Sequence, residues 1–488
     1  MSQPLRRTRI LATLGPATDA PGVIDALLAA GLNAVRLNFS HGTAEQHAQR
    51  VAAVRAVASR TGREIGVLAD LPGPKIRIEK FAENKVQLKA GQAFALVCRV
   101  DAAPGDSTQV GCSYLGLPSD VGPGDMLLLD DGLITLRVEK VVGDTVHTEV
   151  LTDGALSNRK GLNRLSGGLS LGALTDEDRV HIATAAKLGV DFIAVSFCRS
   201  AADIELAREL ARAAGSDAQI VAKIERAEAI ENLVEIVEAA EVIMVARGDL
   251  GVEIGYAELP GLQKKIIRES VSRNRIVITA TQMLQSMVDN PIPTRAEVLD
   301  VANSVIDGTD TVMLSAETAS GLYPVKSVEV MAQICLGAER QFRHDTDFEA
   351  ARRGLTRADE AIAMAAMFLT EHIELKGIVA LTESGGTARH LSRFRSQVPV
   401  FALSRFDAAR RKMSLMRDVF PIHFDTRGLS PGVAARSAAK QLHDLGLLAV
   451  GDRIIVTNGD SMERRGATNT LRLLEIGADG HVDGLAEL

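Results

Sequence analysis

The sequence contains no tryptophan, and aromatic residues make up only 3% of its 488 residues. Its hydrophobic fraction of 46% is therefore supplied mainly by aliphatic side chains, which is typical of parallel sheets covered by helices. A chain of this length suggests roughly three domains. We therefore expect a multidomain α/β protein.

Cysteines and long apolar runs are also scarce. The four cysteines are scattered, without a Cys-x-x-Cys motif, which argues against structural zinc and favours a reducing compartment. No apolar run approaches the roughly 20 residues of a membrane span, and the first residues lack the apolar core of a signal peptide. The net charge of −7 argues against nucleic acid or a membrane surface as a partner. We therefore predict a cytoplasmic location.

Short apolar strands alternate with helical patterns through much of the chain. Strands are predicted over residues 8–14, 34–38, 65–70, 191–196, 219–224, 241–246, 275–280 and 311–314. Eight strands with helices between them is the count that closes a (β/α)8 TIM barrel. An open doubly wound sheet is the alternative, because strand count alone does not prove closure.

The hydrophobic period changes between about residues 76 and 156, where apolar and polar residues alternate as in β-strands. We predict an inserted all-β lid domain over residues 72–168, which divides the barrel domain into residues 1–71 and 169–344. Strand–helix alternation restarts after about residue 343. It predicts a C-terminal open-sheet α/β domain over residues 345–488.

Charged side chains follow the predicted strands at the point where each strand ends. Lys223 and Glu225 end the fifth strand, and Arg247 and Asp249 end the sixth. Chemistry in parallel α/β folds is done at this edge, and two carboxylates suit a divalent cation such as Mg²⁺. Taken alone, the four residues fit surface salt bridges equally well. The remaining strand ends add further polar groups: Thr13, Arg36, Asn38, Ser40, Asp70, Ser196, Thr281, Gln282, Ser315 and Glu317.

A rim with several cations, a carboxylate pair and hydroxyl groups is suited to phosphoryl transfer, in which the protein positions the reactants and neutralises charge. Eight stretches of the chain resemble pyruvate kinases in the same order and spacing. They read TRILATLGPAT, RLNFSHG, GPKIR, VAKIERAEAI, MVARGDLGVEIG, ITATQML, PTRAEVLDVANSVIDGTD and MLSAETA. The resemblance covers nearly the whole chain and is closest to the bacterial, potassium-independent, monophosphate-activated type.

The resemblance implies transfer of a phosphoryl group from phosphoenolpyruvate to ADP, giving pyruvate and ATP, in a cytoplasmic homotetramer. Glu225 and Asp249 are then the ligands of Mg²⁺ or Mn²⁺. Lys223 stabilises charge on the enolate oxygen, Arg36 contacts the phosphoryl group, and Thr281 lies on the route that protonates the enolate carbon. The implied substrate-binding set is Arg36, Lys223, Ala246, Arg247, Gly248, Asp249 and Thr281, with the backbone N–H groups of residues 247–249 facing the substrate carboxylate.

The same resemblance extends to the nucleotide and to the monovalent cation. The nucleotide contacts are Arg77 and Lys160, together with Thr13, Pro16 and His41; we interpret His41 as orienting the phosphate loop rather than as an acid or base. Potassium-dependent members read D-T-K-G-P-E-I-R where this chain reads DLPGPKIR, so Leu71 and Lys75 replace a Thr and a Glu. We therefore expect the cation-site equivalents Asn38, Ser40, Asp70 and Lys75 to work without K⁺.

The C-terminal domain resembles the family's regulatory domain. Its turn of residues 382–387 lies between a strand and a helix, so we predict that Thr382, Ser384, Gly386 and Thr387 bind the phosphate of an allosteric effector. An ordinary capped loop is the alternative. The facing loop of residues 458–469 carries Asp460 and Glu463 but also Arg464 and Arg465. The acidic pair favours a monophosphate such as a sugar phosphate or AMP over fructose 1,6-bisphosphate.

Two other functions fit the same residues. A metal-dependent aldolase also binds pyruvate enolate at a metal on a TIM barrel, although Arg77, Lys160 and the lid favour a nucleotide-using enzyme. A metabolite sensor that keeps the fold without activity is the non-enzymatic alternative. It would be expected to have lost Lys223, Glu225 or Asp249, and all three are present.

Overall fold

The computed structural model describes residues 5–341, 355, 357–394, 396, 398–461, 464, 466–478 and 482–484. It contains a closed barrel of eight parallel strands, a β-rich region inserted after the third strand, and a C-terminal α/β region. The fold class predicted from the sequence is confirmed, and closure of the barrel excludes the open-sheet alternative. Within the described ranges, no helix is long and apolar enough to cross a membrane.

The first part of the barrel contains three strands and two helices. They are β1 (Arg9–Leu14), α1 (Val23–Ala30), β2 (Ala34–Asn38), α2 (Ala44–Thr61) and β3 (Gly66–Asp70). Helix α2 begins with a capping box, in which the side chains of Thr43 and Gln46 bind each other's backbone N–H groups. It ends before Gly62, whose φ of 66° is left-handed and suits glycine.

The inserted region is built almost entirely from β-strands. Its elements are β4 (Lys85–Leu88), β5 (Ala93–Val97), β6 (Gln109–Gly111), α3 (Leu117–Asp120), β7 (Met126–Leu129), β8 (Ile134–Val142), β9 (Thr145–Val150), β10 (Gly154–Ser157) and β11 (Leu162–Arg164). They form a six-stranded sheet in the order β11-β7-β8-β9-β5-β6 and a pair β10-β4. The alternating apolar residues Phe94, Leu96, Leu136 and Val138 are buried as their period predicts; the one-turn helix α3 was not predicted.

The second part of the barrel completes the ring in the order β1-β16-β15-β14-β13-β12-β3-β2. Its elements are α4 (Asp176–Leu188), β12 (Phe192–Val195), α5 (Ala201–Ala213), β13 (Gln219–Ile224), α6 (Ala227–Glu231), α7 (Leu233–Ala239), β14 (Val242–Ala246), α8 (Arg247–Ile254), α9 (Leu259–Ser272), β15 (Ile276–Ala280), α10 (Arg295–Asp307), β16 (Thr311–Leu314), α11 (Ala316–Ala319) and α12 (Pro324–Gln341). Because every pairing in the ring is parallel, the carboxyl ends of all eight strands meet at one rim.

The C-terminal region is an open sheet in the order β19-β18-β17-β20-β21-β22, with the last two strands antiparallel. Its elements are α13 (Ala358–His372), β17 (Gly377–Leu381), α14 (Gly386–Arg393), β18 (Val400–Ser404), α15 (Asp407–Lys412), β19 (Val419–His423), α16 (Pro431–Asp444), β20 (Arg453–Gly459), β21 (Thr468–Ile476) and β22 (Val482–Gly484). The short strand β22 was not predicted. Within the described ranges, 3₁₀ turns lie at Pro16–Thr18, Gln285–Val288 and Met413–Leu415.

The C-terminal region closes the amino-terminal end of the barrel, opposite the rim. Leu11, Phe192 and Met244 inside the barrel belong to one apolar cluster with Met413 and Leu415 of the C-terminal region. A hydrogen bond beside this cluster also joins the two regions: Thr311 Oγ1 donates to the Leu415 carbonyl at 2.8 Å. The two regions therefore share a core and are not simply tethered.

Asp310 is the polar centre of that junction, and its side chain is 1% exposed. It accepts the backbone N–H groups of Val277 and Arg417, each at 2.9 Å, and the guanidinium of Arg393, whose Nη1 lies at 3.0 Å. Arg393 also donates to the Arg275 carbonyl. The buried carboxylate of this residue, which precedes β16, thus joins β15, helix α14 and the segment before β19.

Replacing Asp310 by Ala should lower the midpoint of thermal unfolding by several degrees. The substitution leaves the buried Arg393 guanidinium without its carboxylate, a change that costs about 3–5 kcal/mol in other proteins. Differential scanning calorimetry measures the shift. The matched control is Asp425→Ala, which breaks the exposed pair of Asp425 with Arg427 at 2.6 Å and should change little. Equal melting temperatures for the two variants would contradict the assignment.

Candidate active site

Lys223, at the end of β13, is a largely enclosed cation at the rim, with a side chain 12% exposed. Its Nζ lies 2.6 Å from Ser196 Oγ, 2.9 Å from Glu225 Oε1 and 3.2 Å from Asp70 Oδ1. The three partners come from the ends of β12, β13 and β3, which are neighbours in the ring. The register of adjacent strands therefore brings Asp70 and Ser196, which are distant in sequence, to Lys223 and Glu225.

Burial and charge act in opposite directions on this cluster. Burial opposes the charged ammonium, but Asp70 and Glu225 outweigh it and raise the pKa of Lys223. Burial likewise opposes ionisation of Asp70, yet Lys223 and Arg36 outweigh it and lower the pKa of that carboxyl. The ammonium of Lys223 is therefore charged at neutral pH and held in one position.

Glu225 and Asp249, the predicted metal ligands, lie on adjacent strand ends. Glu225 is buried, and its Oε2 accepts the Phe197 N–H at 2.8 Å. Burial raises the pKa of Glu225, and the charge of Asp249 raises it further, despite the opposing effect of Lys223. A divalent cation between the two carboxylates would relieve their repulsion. The residues fit such a cation, because Mg²⁺ commonly takes one or two protein carboxylates and leaves positions for substrate oxygens.

Described His, Cys, Asp and Glu side chains form no group of three or more that could hold a metal by themselves. Lys75 adds a further feature: its Nζ lies 3.0 Å from Asp249 Oδ1. The lysine that replaces a carboxylate of potassium-dependent relatives thus pairs with a predicted metal ligand, and both side chains are partly exposed.

Arg36 and its neighbours form the β1–β3 side of the rim. Arg36 Nε lies 2.6 Å from Asp70 Oδ2, and its Nη1 lies 3.1 Å from Thr13 Oγ1. Asn38 uses its side-chain oxygen to accept the Ser40 N–H at 3.2 Å. Asp70 therefore lies between Arg36 and Lys223, and it fixes the position of both cations.

Helix α8 begins at Arg247, so its first N–H groups point toward the rim, where an anion is favoured. One of them is occupied: Gly248 N–H donates to Thr281 Oγ1 at 2.9 Å. The Arg247 side chain turns away from the rim, donating to the carbonyls of Ala280 and Thr281 at 3.1 and 2.7 Å and to Asp300 at 2.6 Å. Asp300 holds Arg247 in place. It was not singled out from the sequence, although it lies in the PTRAEVLDVAN stretch.

Two rim segments have strained backbones. Thr281 and Gln282 have φ values of 68° and 53°, and Phe197 has a φ of 56°. A left-handed φ is an outlier for a β-branched residue, and such strain concentrates at functional sites. In this structure the strain places the Thr281 hydroxyl on the first turn of α8 and the Phe197 N–H on Glu225.

The predicted nucleotide contacts lie on the inserted region and on the β1 and β2 loops. Arg77 Nη1 donates to the Arg159 carbonyl at 2.9 Å, and Lys160 Nζ lies 2.8 Å from Asp130 Oδ1. Pro16 and His41 are exposed. Asp130 and Asp131 have positive φ angles, which are typical of turn residues, and Asp130 is held in place by its pair with Lys160.

The predicted effector turn leads from β17 into α14. Thr382 Oγ1 accepts the Gly385 N–H at 3.0 Å, and the Thr387 hydroxyl lies 2.7 Å from that of Thr468. Helix α14 begins without a side-chain cap, which leaves its first N–H groups available. In the facing loop Asp460 is engaged by Asn469 at 3.1 Å; Glu463 and Arg465 lie outside the described residues.

Comparison with known proteins connects this geometry to a family. Residues 5–328 match the family described as pyruvate kinase, barrel domain, and residues 360–474 match pyruvate kinase, alpha/beta domain. The chain is 51% identical to pyruvate kinase II of Salmonella typhimurium over 487 residues, covering 98% of this chain and 100% of the relative. It is 48% identical to the pyruvate kinase of Haemophilus influenzae over 481 residues, 96% and 98% of the two chains.

A solved structure of a pyruvate kinase from Cryptosporidium parvum superposes with a TM-score of 0.91 at 32% identity, covering 96% of each chain. Fold and sequence together make the chain an enzyme of the phosphotransferase class. It belongs to the pyruvate kinase family, and its resemblance to bacterial members is confirmed.

Proposed function

We propose that this enzyme transfers the phosphoryl group of phosphoenolpyruvate to ADP, the last step of glycolysis, in the cytoplasm. The bond between phosphorus and the enol oxygen breaks, a bond to the terminal phosphate oxygen of ADP forms, and the enolate takes a proton at carbon to give pyruvate. The observation that carries the proposal is the buried Lys223 ammonium, held by Asp70, Glu225 and Ser196 beside the carboxylate pair.

Each group of site residues has a separate role in this reaction. The site residues Glu225 and Asp249 would hold Mg²⁺ or Mn²⁺, which supplies charge neutralisation to substrate oxygens when bound. Lys223 stabilises charge on the enolate oxygen as the phosphoryl group departs. Arg36 exchanges its Asp70 and Thr13 contacts for the phosphoryl group. Thr281, already bonded to the α8 N-terminus, relays a proton to the enolate carbon through water.

The substrate carboxylate is oriented by the backbone N–H groups of Arg247, Gly248 and Asp249, and Ala246 completes this side of the substrate site. On the nucleotide side, the proposed contacts are Arg77, Lys160, Thr13, Pro16 and His41. We propose domain boundaries at residues 71/72, 168/169 and 344/345, with the inserted domain as a lid that excludes water; the last boundary lies outside the described residues. The two connections between the inserted domain and the barrel are each hydrogen-bonded to the barrel. Gly73 N–H donates to Asp178, and Gly168 N–H donates to Glu228.

A homotetramer and an allosteric effector complete the proposal. Helix α10 and the segment before it expose Ile292, Leu299 and Ile306, apolar groups suited to an interface between copies; the C-terminal domain supplies the second interface. A phosphorylated metabolite, preferentially a monophosphate, binds at Thr382, Ser384, Gly386 and Thr387 and activates the enzyme. Sedimentation analysis tests the assembly.

A coupled assay with lactate dehydrogenase tests the reaction. Pyruvate must appear when phosphoenolpyruvate, ADP and Mg²⁺ are all present, and must fail to appear when ADP is omitted. Pyruvate formation from a hydroxy-keto acid without ADP would instead identify an aldolase. Absence of turnover with any of these mixtures, with intact ligand binding, would identify a sensor.

Lys223→Met should lower kcat by at least about 100-fold, because Lys223 stabilises charge that develops only in the transition state. The coupled assay under saturating substrates measures the change, and calorimetric melting checks that the variant is folded. Lys326→Met is the control, since Lys326 pairs with Glu329 on the surface at 3.1 Å. Retention of more than about a tenth of the wild-type kcat would refute the role of Lys223.

We propose that the ammonium of Lys75 takes the place of K⁺. In potassium-dependent enzymes K⁺ binds at the positions equivalent to Asn38, Ser40 and Asp70. A K⁺ ion about 4 Å from this ammonium would meet repulsion on the order of 4 kcal/mol at an effective dielectric near 20. The pairing of Lys75 with Asp249 supports a charge role, because it puts the ammonium at the carboxylate rim.

The initial rate in tetramethylammonium buffer should therefore change little when about 100 mM KCl replaces it at matched ionic strength. The coupling enzyme must itself need no K⁺. Lys75→Glu should lose activity without K⁺ and regain part of it with K⁺, with Leu71→Thr added for full rescue, whereas Lys75→Met should lose activity in both buffers. A rise of about tenfold or more in the initial rate of the wild-type enzyme on adding K⁺ would refute the proposal that Lys75 replaces K⁺.

A further inference from the structure

A large cavity lies between the C-terminal region and the closed end of the barrel. Its volume is about 510 Å³, within the range of small-molecule sites. One wall is the effector turn of residues 382–387. The barrel contributes residues 273–275, which precede β15. Helix α14 of the C-terminal region contributes Arg389. The cavity is therefore wider than the phosphate turn alone requires.

Three of the six arginines that line this cavity are already neutralised, and a fourth, Arg464, is exposed on the facing loop. Arg357 pairs with Asp359 at 2.7 Å, and Arg405 pairs with Glu383 at 3.4 Å. Arg273 pairs with Glu269 at 2.5 Å. These guanidinium groups need no further anion.

Arg275 and Arg389 differ from the others. Among the described residues neither has a carboxylate within ion-pair distance, and the Nε atom of each is buried without a hydrogen-bond partner. Arg275 donates only to the Glu238 carbonyl, at 2.6 Å. A buried donor without a partner is costly, and more so when it is charged.

The neighbouring charges make this cost larger. Burial lowers the pKa of Arg389, and the positive charges of Arg275 and Arg393 lower it further. Glu241 is the acidic group that acts favourably on both arginines, but its carboxylate is already bound by Arg208 Nη1 at 2.8 Å and by the Ile220 N–H at 2.9 Å. No carboxylate of the described residues is therefore free to pair with Arg275 and Arg389, and an anion bound in the cavity would supply the missing negative charge.

We propose that Arg275 and Arg389 form a second phosphate-binding subsite in this cavity, separate from the turn at residues 382–387. The proposal rests on the proposed function only in taking the cavity as the effector site. Arginine suits the role, because its planar fork donates two parallel hydrogen bonds to phosphate oxygens. The occupant is a phosphate group, which is either the second phosphate of one effector or a free phosphate ion beside a monophosphate.

The position of the subsite gives it a consequence beyond affinity. Arg389 and Arg393 are four residues apart on α14 and so share a face of the helix. Arg393 donates to the Arg275 carbonyl and to Asp310. A phosphate bound by Arg275 and Arg389 therefore connects the barrel to the C-terminal helix at the same junction, and its binding should tighten that junction.

Titration calorimetry tests the subsite with three probes: fructose 1,6-bisphosphate, glucose 6-phosphate, and inorganic phosphate added to the complex with glucose 6-phosphate. The variants are Arg389→Gln, Arg275→Gln and Arg389→Lys. The matched control is Arg357→Gln, which removes one positive charge from the same cavity but from an arginine that is already paired. Ser384→Glu blocks the turn, and melting temperatures without ligand confirm that each variant is folded.

We expect each Gln substitution to weaken binding of the bisphosphate, or of inorganic phosphate, by about tenfold or more. Arg389→Lys should lose part of this affinity, and Arg357→Gln should retain it. Loss confined to the bisphosphate identifies one effector that spans both subsites; loss confined to inorganic phosphate identifies a separate ion.

Two outcomes would overturn the proposal. If the Gln variants bind the bisphosphate and inorganic phosphate as the wild type does, while Ser384→Glu loses glucose 6-phosphate, the second subsite is wrong and the effector turn stands. If the wild-type enzyme binds none of the three probes, both the subsite and the effector cavity are wrong.

Discussion

The structure of the rim depends on how one buried ammonium is held. Lys223 lies among Asp70, Glu225 and Ser196, and removing its charge would leave Glu225 without its ammonium partner and Asp70 with Arg36 alone. Such a cluster is not there for stability alone, since buried ion pairs are often neutral or unfavourable compared with apolar packing. Its contribution is to position the ammonium, which three partners hold in a largely enclosed pocket, where a fixed charge acts strongly on a bound substrate.

The barrel fixes the position of Lys223 and its partners because its strands are in register. Loops with strained backbones then direct polar groups that the strands do not provide. Phe197 and Thr281, both with left-handed φ, direct an N–H to Glu225 and a hydroxyl to the α8 N-terminus. At the opposite end of the barrel, Asp310 joins the strands to α14, so the chemistry and the effector cavity share one rigid scaffold.

Much of this organisation could be predicted from the sequence, because apolar runs of β-branched residues ending in charges define barrel strands and their exits. The strands Ala34–Asn38, Gln219–Ile224 and Thr311–Leu314 have the predicted bounds. Ring closure, the left-handed Thr281 and the partner of Lys75 depend on tertiary contacts, which one sequence does not carry. For the same reason the sequence predicts the position of Arg247 at the rim but not the direction of its guanidinium, which turns toward Asp300. The unpaired charges of Arg275 and Arg389 likewise emerge only when two regions meet.

The central claim is that Glu225 and Asp249 together hold a divalent metal. Titration of Mn²⁺, followed by electron paramagnetic resonance of the free ion, tests it directly on the wild type, Glu225→Gln and Asp249→Asn. Glu228→Gln is the control, because glutamine keeps an acceptor for the Gly168 N–H that Glu228 binds at 2.7 Å. The account predicts that the first two substitutions weaken Mn²⁺ binding by about tenfold or more and that the control does not. Wild-type affinity in Glu225→Gln and Asp249→Asn would contradict it.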